Sequence, residues 1–129
     1  MNLTGECKKA FENWYMNIYH KKFTLNHLEL IQATHLNRLG VFNCMPENMQ
    51  YGVLVDFFDS VGLCIEISID YTRQGYGTPL YQWEVNQWNI DSFGHKDLVR
   101  TRKEARTAAI TKANELYNEQ SKNKKTITK

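Results

Sequence analysis

Basic side chains cluster near the start of the last third of the sequence, where they could bind an anion. The cluster consists of Lys96, Arg100, Arg102, Lys103 and Arg106. Positive charge at a helix N-terminus opposes the helix dipole by about 0.3–1 kcal/mol per charge, so stability alone would not select it. An anion held between these side chains and free helix N–H groups would explain them, whereas neutralisation by Asp97 and Glu104 is the simpler alternative.

The charge of the chain is unevenly divided. Residues 1–95 carry six Lys and Arg against ten Asp and Glu, and residues 96–129 carry ten against four, within a net charge of +2. A basic end on an acidic body indicates an anionic partner, either nucleic acid or an acidic protein surface. A solvated helix with a lysine-rich end is the alternative interpretation.

A second group of charged residues lies in a predicted hairpin. Apolar and polar residues alternate over 63–71 and again over 79–88, with glycines between them, which is typical of two antiparallel strands. A turn centred on Gly75 places Glu66 opposite Glu84, and like charges in that position destabilise a sheet. A bound cation or a basic residue of a partner would relieve the repulsion, and a different register would remove it.

Two tryptophans fall on opposite faces of this hairpin. In the same register Trp83 lies on the face that carries Ile65, Ile67 and Val85, so we expect it in the core. Trp88 lies on the other face. Exposed tryptophans often anchor protein interfaces, so we predict that Trp88 contacts a partner.

The residues with metal-binding or nucleophilic chemistry form no familiar motif. Cys7, Cys44 and Cys64 include no CxxC pair, and the histidines include no HxxxH pair, so we predict no metal site and no cofactor. Asp56 and Asp59, three residues apart on a predicted helix, could join Asp70 in a magnesium-dependent hydrolase. Aspartates on a helix surface are the commoner explanation, and we predict that the chain is not an enzyme.

Helices precede the hairpin in the sequence. Apolar spacing predicts one from Thr4, as N-cap, to about His20, and a second over 25–39 that stops at Gly40. A third is predicted over 46–60 with Pro46 at its first position, although Val and Phe residues make a strand over 51–58 the alternative.

A short third strand over 93–99 and a final helix follow. Thr101 and Glu104 form a capping box, and the helix then presents a stripe of mostly small residues that suits close packing on a sheet. The chain of 129 residues is therefore predicted to form one α+β domain over 1–119: N-terminal helices, an antiparallel hairpin or three-stranded meander, and a C-terminal helix packed on the sheet. Residues 120–129 are predicted to be a basic, flexible tail.

The segment Thr-Arg-Lys-Glu-Ala-Arg-Thr-Ala-Ala (101–109), placed after a hairpin, resembles the start of the last helix in double-stranded RNA-binding domains. The resemblance covers about the last third of the chain, and the Gly-Pro-x-His loop of that family has no counterpart here. It implies that Arg102, Lys103 and Arg106 contact phosphates across a nucleic-acid groove.

The longer stretch Met-Gln-Tyr-Gly-Val-Leu-Val-Asp-Phe-Phe-Asp-Ser-Val-Gly (49–62), followed by the strands and the terminal helix, is similar to small uncharacterised proteins of Bacteroidetes bacteria and their phages. The resemblance implies a phage setting, in which small proteins commonly bind and inhibit host defence proteins.

Together these observations predict a small, non-enzymatic binding protein. We expect a cytoplasmic location, because the sequence shows neither a signal peptide nor a membrane-spanning run. A protein partner is the leading interpretation, and nucleic-acid binding and metal-dependent hydrolysis are the alternatives. The predicted contact residues are Trp88, the acidic pair Glu66 and Glu84, and the basic cluster.

Overall fold

Helices and an antiparallel sheet make up the structure, as the predicted α+β class requires. The computed structural model describes residues 2–19, 35–70, 79–88 and 94–127. The elements are α1 (Gly5–Trp14), a π-helical turn (Tyr15–Tyr19), α2 (His35–Asn43), α3 (Glu47–Ser60), β1 (Leu63–Asp70), β2 (Leu80–Gln87), β3 (His95–Val99) and α4 (Arg102–Ile127). The strands form a meander in the order β1-β2-β3, and α4 packs on it.

The predicted hairpin register is confirmed at every pair of strands β1 and β2. Ile65 pairs with Val85, Ile67 with Trp83, and the two acidic residues also face each other. Alternation of apolar and polar residues fixes this register, because a slip by one residue would turn the isoleucines toward solvent. The turn itself, over 71–78, lies outside the described residues.

Small side chains bring α4 close to the sheet. Ala105, Ala109 and Ala113 are fully buried, and the larger Ile110 and Leu116 fill the space beside them. The helix begins as predicted, since the Glu104 N–H donates to Thr101 Oγ1 at 3.1 Å. It does not end at residue 119, however, but continues to Ile127. Lysines in the last turns favour this extension, because they interact well with the negative end of the helix dipole.

Helix α3 forms the centre of the core, and the alternative strand over 51–58 is wrong. Val53, Leu54, Phe57 and Phe58 are buried. Their spacing spreads over two sides of a helix, which suits a segment packed against both β1 and α4. Met49, near the start of this helix, is 55% exposed. Pro46 immediately precedes the first helical residue rather than occupying it.

Aromatic rings join the N-terminal helices to α3. The ring of Phe11 in α1 lies 4.9 Å from that of Phe42 in α2 and 5.4 Å from that of Phe57 in α3, measured between centroids. Gly40 does not stop α2, which runs through it to Asn43. Its side of the helix is half-exposed, so the missing side chain leaves no gap in the core. The predicted helical residues 25–34 lie outside the described residues.

Two asparagines of α4 hold the start of α1. The Thr4 N–H donates to Asn114 Oδ1 at 2.9 Å, and Asn114 Nδ2 donates to Thr4 Oγ1 at 3.0 Å. The Cys7 N–H donates to Asn118 Oδ1 at 2.9 Å, and Asn118 Nδ2 donates to the Thr4 carbonyl at 3.1 Å. Thr4 is the N-cap residue, as predicted. Its side chain, however, makes no capping hydrogen bond to the first turn of the helix. The long-range partner Asn118 caps the helix instead.

Helix α1 is also shorter than predicted. It ends at Trp14, and the chain continues to Tyr19 as a π-helical turn. This wider turn lets the adjacent residues Tyr15 and Met16 both be buried. In the described part of the chain, no helix has both the length and the apolar character needed to cross a bilayer.

Candidate functional site: the open face of the sheet

The two faces of the sheet have different environments. Odd-numbered residues of β1 and β2 face the helices, and Leu63, Ile65 and Val85 among them are buried. The even-numbered residues of the three strands point to the other side, and none of them is buried. We call this side the open face. Its residues are Cys64, Glu66, Ser68, Asp70, Leu80, Gln82, Glu84, Asn86, Lys96 and Leu98.

A row of three charged residues crosses the open face. Glu66 of β1 lies opposite Glu84 of β2, which in turn lies opposite Lys96 of β3. The repulsion predicted between the two glutamates therefore has a counter-charge within the chain. Lys96 stands beside Glu84 only, so Glu66 at the sheet edge keeps a carboxylate with no lysine directly across from it. In the sequence Lys96 belongs to the basic cluster, but in the structure it lies on β3 and forms part of this row.

Trp88 stands at the end of β2 on the same side. Its main-chain N–H donates to the Gly62 carbonyl at 3.1 Å, and its side chain is 67% exposed. Burial, followed by the nearby carboxylates of Asp59 and Glu66, raises the pKa of the Cys64 thiol, and a side-chain hydrogen bond with Trp88 opposes part of that shift. Trp88 is therefore anchored through its backbone while its indole lies against the open face, and its predicted exposure is confirmed.

Two arginines at the start of α4 lie over tyrosine rings. The guanidinium of Arg102 is 5.3 Å from the centroid of the Tyr81 ring, and that of Arg106 is 5.5 Å from the centroid of the Tyr51 ring. Burial raises the pKa of Tyr51, and the charge of Arg106 partly opposes that shift. Cation–π contacts of this kind orient both guanidinium groups without a bound anion.

Lys103 also has a partner within the chain. Its Nζ lies 3.6 Å from Glu47 Oε2, and both side chains are more than half exposed. Such surface pairs contribute little stability, about 0–1 kcal/mol, but they reduce the local positive charge. Arg100, between β3 and α4, is exposed. The basic residues of α4 therefore have tyrosine or glutamate neighbours inside the protein. These neighbours are not the Asp97 and Glu104 suggested by the sequence, neither of which forms an ion pair with the cluster among the described residues.

The structure divides the predicted site residues between two surfaces. The open face holds Glu66, Glu84, Lys96 and Trp88. The start of α4 and the turn before it hold the others. The start of α4 lies on the covered side of the sheet, because Arg102 contacts the odd-numbered residue Tyr81. A single anion could not contact both groups.

The three aspartates of the hydrolase alternative are not assembled. The charge of Asp59 helps to raise the pKa of the Cys64 thiol, so Asp59 lies near the start of β1. Asp70, by contrast, is the last residue of that strand. Six residues of strand separate Cys64 from Asp70 by about 20 Å. Among the described residues there is no group of three or more His, Cys, Asp or Glu side chains that could hold a metal ion.

Some residues of the open face were not singled out from the sequence. Leu98 of β3 lies opposite Gln82, and Leu80 of β2 lies opposite Asp70; both leucines are half-buried. They add apolar area to a surface otherwise lined by polar groups. Their even numbers, given the register, were the available signal. By contrast, a cleft of about 290 Å³ lined by Phe11, Phe42 and other residues contains none of the predicted site residues.

Comparison with known proteins adds no relative: no family model, curated protein or solved structure matches the chain. The two resemblances described from the sequence therefore stay predictions.

Proposed function

We propose that this chain is a non-enzymatic binding protein that engages a protein partner through the open face of its sheet. The observation that carries the proposal is Trp88, a large aromatic side chain that is 67% exposed and anchored through its backbone N–H to Gly62. A tryptophan in this setting gives up little conformational freedom on binding and offers a large apolar area, which is why tryptophan is enriched at interface hot spots.

The charges of the open face indicate what the partner presents. Glu84 has Lys96 opposite it on β3, but Glu66 has only Glu84 across from it in the sheet. An arginine or lysine of the partner beside Glu66 would relieve this repulsion. The open face therefore fits a partner that has an apolar pocket for the Trp88 indole and a basic residue close to that pocket.

The proposal also includes a biological role for this binding. The similarity of residues 49–62 and the following elements to proteins of Bacteroidetes and their phages supports a phage-encoded protein that acts in the cytoplasm on a host protein, such as a component of host defence. Nucleic-acid binding through Arg102, Lys103 and Arg106 is less well supported, because all three side chains have neighbours within the chain that account for their positions.

The test compares truncation of two exposed apolar side chains. Tagged wild-type protein, Trp88→Ala and Met49→Ala are used to recover complexes from a host lysate, and their stoichiometry is measured by light scattering. Met49 is the matched control because it is 55% exposed but lies on α3, away from the open face. We expect Trp88→Ala to lose the complex and Met49→Ala to retain it, with Glu66→Lys weakening it as well.

Three outcomes would contradict this proposal. If Trp88→Ala retains the complex, or if both variants lose it equally, the open face is not the contact surface. If the wild-type protein instead purifies with nuclease-sensitive material whose affinity falls steeply with salt, and Arg102→Glu with Arg106→Glu abolishes that binding, the nucleic-acid alternative is correct.

A further inference from the structure

The two edges of the sheet differ in how well they are protected against pairing with another strand. Strand β3 forms one edge; it has five residues and begins with the polar sequence His95-Lys96-Asp97. The Leu98 N–H donates to Asp97 Oδ1 at 2.8 Å. Short length, charge and a side chain bonded to a strand N–H are devices that keep an edge from pairing further.

Strand β1 forms the other edge and has few of these features. It is eight residues long, Leu-Cys-Ile-Glu-Ile-Ser-Ile-Asp, without proline or lysine. In the described part of the chain, β2 is the only strand paired with it. A long, isoleucine-rich edge of this kind is a template for an added strand.

The hydrogen-bonding parity of β1 can be derived from one contact. The Trp88 N–H donates to the Gly62 carbonyl, so the directly opposed residues Gly62 and Trp88 are a hydrogen-bonded pair. Hydrogen-bonded pairs alternate along an antiparallel ladder, which assigns the even-numbered residues of β1 to bonding with β2. The N–H and C=O groups of Ile65, Ile67 and Ile69 therefore point outward from the sheet edge.

We propose that β1 pairs antiparallel with β1 of a second copy of this chain, centred on Ile67, to form a two-fold symmetric dimer with a continuous six-stranded sheet. In this register Ile67 lies opposite Ile67 of the second copy, and Ile65 lies opposite Ile69 of the second copy. The three outward-facing pairs form about six backbone hydrogen bonds, two for each pair. The isoleucines of the two copies share the helix-covered side, so their apolar surfaces join.

Side-chain charge selects this register over its neighbours. Centred on Ile67, the pairing places each Glu66 opposite Ser68 of the other copy, which opposes a carboxylate to a hydroxyl. A shift of the axis to Glu66 would place that carboxylate opposite itself, which is unfavourable. A shift of the axis to Ser68 would pair only residues 66–70 of each strand instead of 64–70. The chosen register is thus the longer of the two that avoid opposing Glu66 to itself.

The test uses Ser68, which is exposed on the open face and can be changed without disturbing the core. Ser68→Glu places like charges opposite each other twice across the two-fold axis, and Ser68→Lys places a lysine opposite Glu66 twice. Gln82→Glu is the matched control, because it adds the same charge to the same face directly across from Ser68 but on the central strand. Circular dichroism verifies that each variant is folded.

The readout is mass by sedimentation velocity and light scattering over concentrations up to the millimolar range. We expect wild-type protein to rise from the monomer mass of 15.2 kDa toward twice that value. We expect Ser68→Glu to weaken dimerisation on the order of tenfold, Ser68→Lys to strengthen it, and Gln82→Glu to match wild type.

The proposal is overturned if wild-type protein stays monomeric at every concentration, if Ser68→Glu and Gln82→Glu weaken the dimer equally, or if Ser68→Lys does not strengthen it. None of these outcomes bears on partner binding through Trp88, whose test measures recovery of a different protein. The two proposals can therefore fail separately.

Discussion

Replacing Asn114 with alanine tests the long-range attachment of α1 to α4. The Asn114 side chain is 8% exposed and makes two hydrogen bonds to Thr4, one to its N–H and one to its hydroxyl. Each such bond contributes about 1 kcal/mol, and the Thr4 N–H left without its partner brings the loss to about 2–3 kcal/mol. Alanine is a better helix former than asparagine by roughly 0.5 kcal/mol, which offsets part of the loss.

The net expectation for Asn114→Ala is a decrease of about 2 kcal/mol in the free energy of unfolding. At roughly 3–5 °C per kcal/mol for a domain of this size, the melting temperature falls by about 6–10 °C. Urea titration followed by circular dichroism measures the free energy, and a thermal scan measures the melting temperature.

Asn123→Ala is the matched control, because Asn123 is an exposed asparagine of the same helix. It reports the gain in helix propensity alone, so we expect it to be neutral or slightly stabilising. The reasoning is refuted if Asn114→Ala and Asn123→Ala unfold within about 0.5 kcal/mol of each other. A double-mutant cycle with Thr4→Val then isolates the pair: its coupling energy should be about 1 kcal/mol, and a value near zero would assign the effect elsewhere.

Further predictions concern the cysteines and glycines. Burial raises the pKa of the Cys7 thiol to about 12. Above about pH 9 the thiol therefore keeps its proton in the folded protein but loses it in the unfolded chain. The free energy of unfolding should be unaffected by this group below about pH 9 and should fall by up to about 1.4 kcal/mol per pH unit above it. Cys7→Ala should remove that contribution, and an unchanged slope in urea titrations would contradict it. A thiol reagent should modify exposed Cys44 in the folded protein and reach buried Cys7 only after unfolding; equal rates would contradict the burial. Gly52→Ala, in an exposed position of α3 with open space around a new Cβ, should stabilise the protein by about 0.5–1 kcal/mol. Gly62→Ala, equally open but at φ +85°, should destabilise it by about 1 kcal/mol, and the same sign for both in urea titrations would contradict the backbone argument.

The sequence by itself determined the parts of this protein that depend on near neighbours. Alternation with a period of two predicts β1 and β2, and the requirement that isoleucines share one face fixes their register at every pair. The capping box of Thr101 and Glu104 predicts where α4 begins, since both residues act on the same helical turn. The exposure of Trp88 follows from the same parity. These features depend on spacings of a few residues, which the pattern of apolar and polar residues shows directly.

Only the tertiary structure decided which distant residues meet. Nothing in the spacing of the sequence indicates that Asn114 and Asn118 form hydrogen bonds with Thr4, because these partners are more than a hundred positions apart. The third strand likewise moved Lys96 from the basic cluster to a place beside Glu84. Arg102 lies over Tyr81 because Val99, three residues before it, pairs with Tyr81 in the sheet. Helix ends were also misjudged, because α4 continues along lysines that have no apolar period. Contacts between elements depend on how whole faces pack, and that packing is settled by the total apolar area buried rather than by any local pattern.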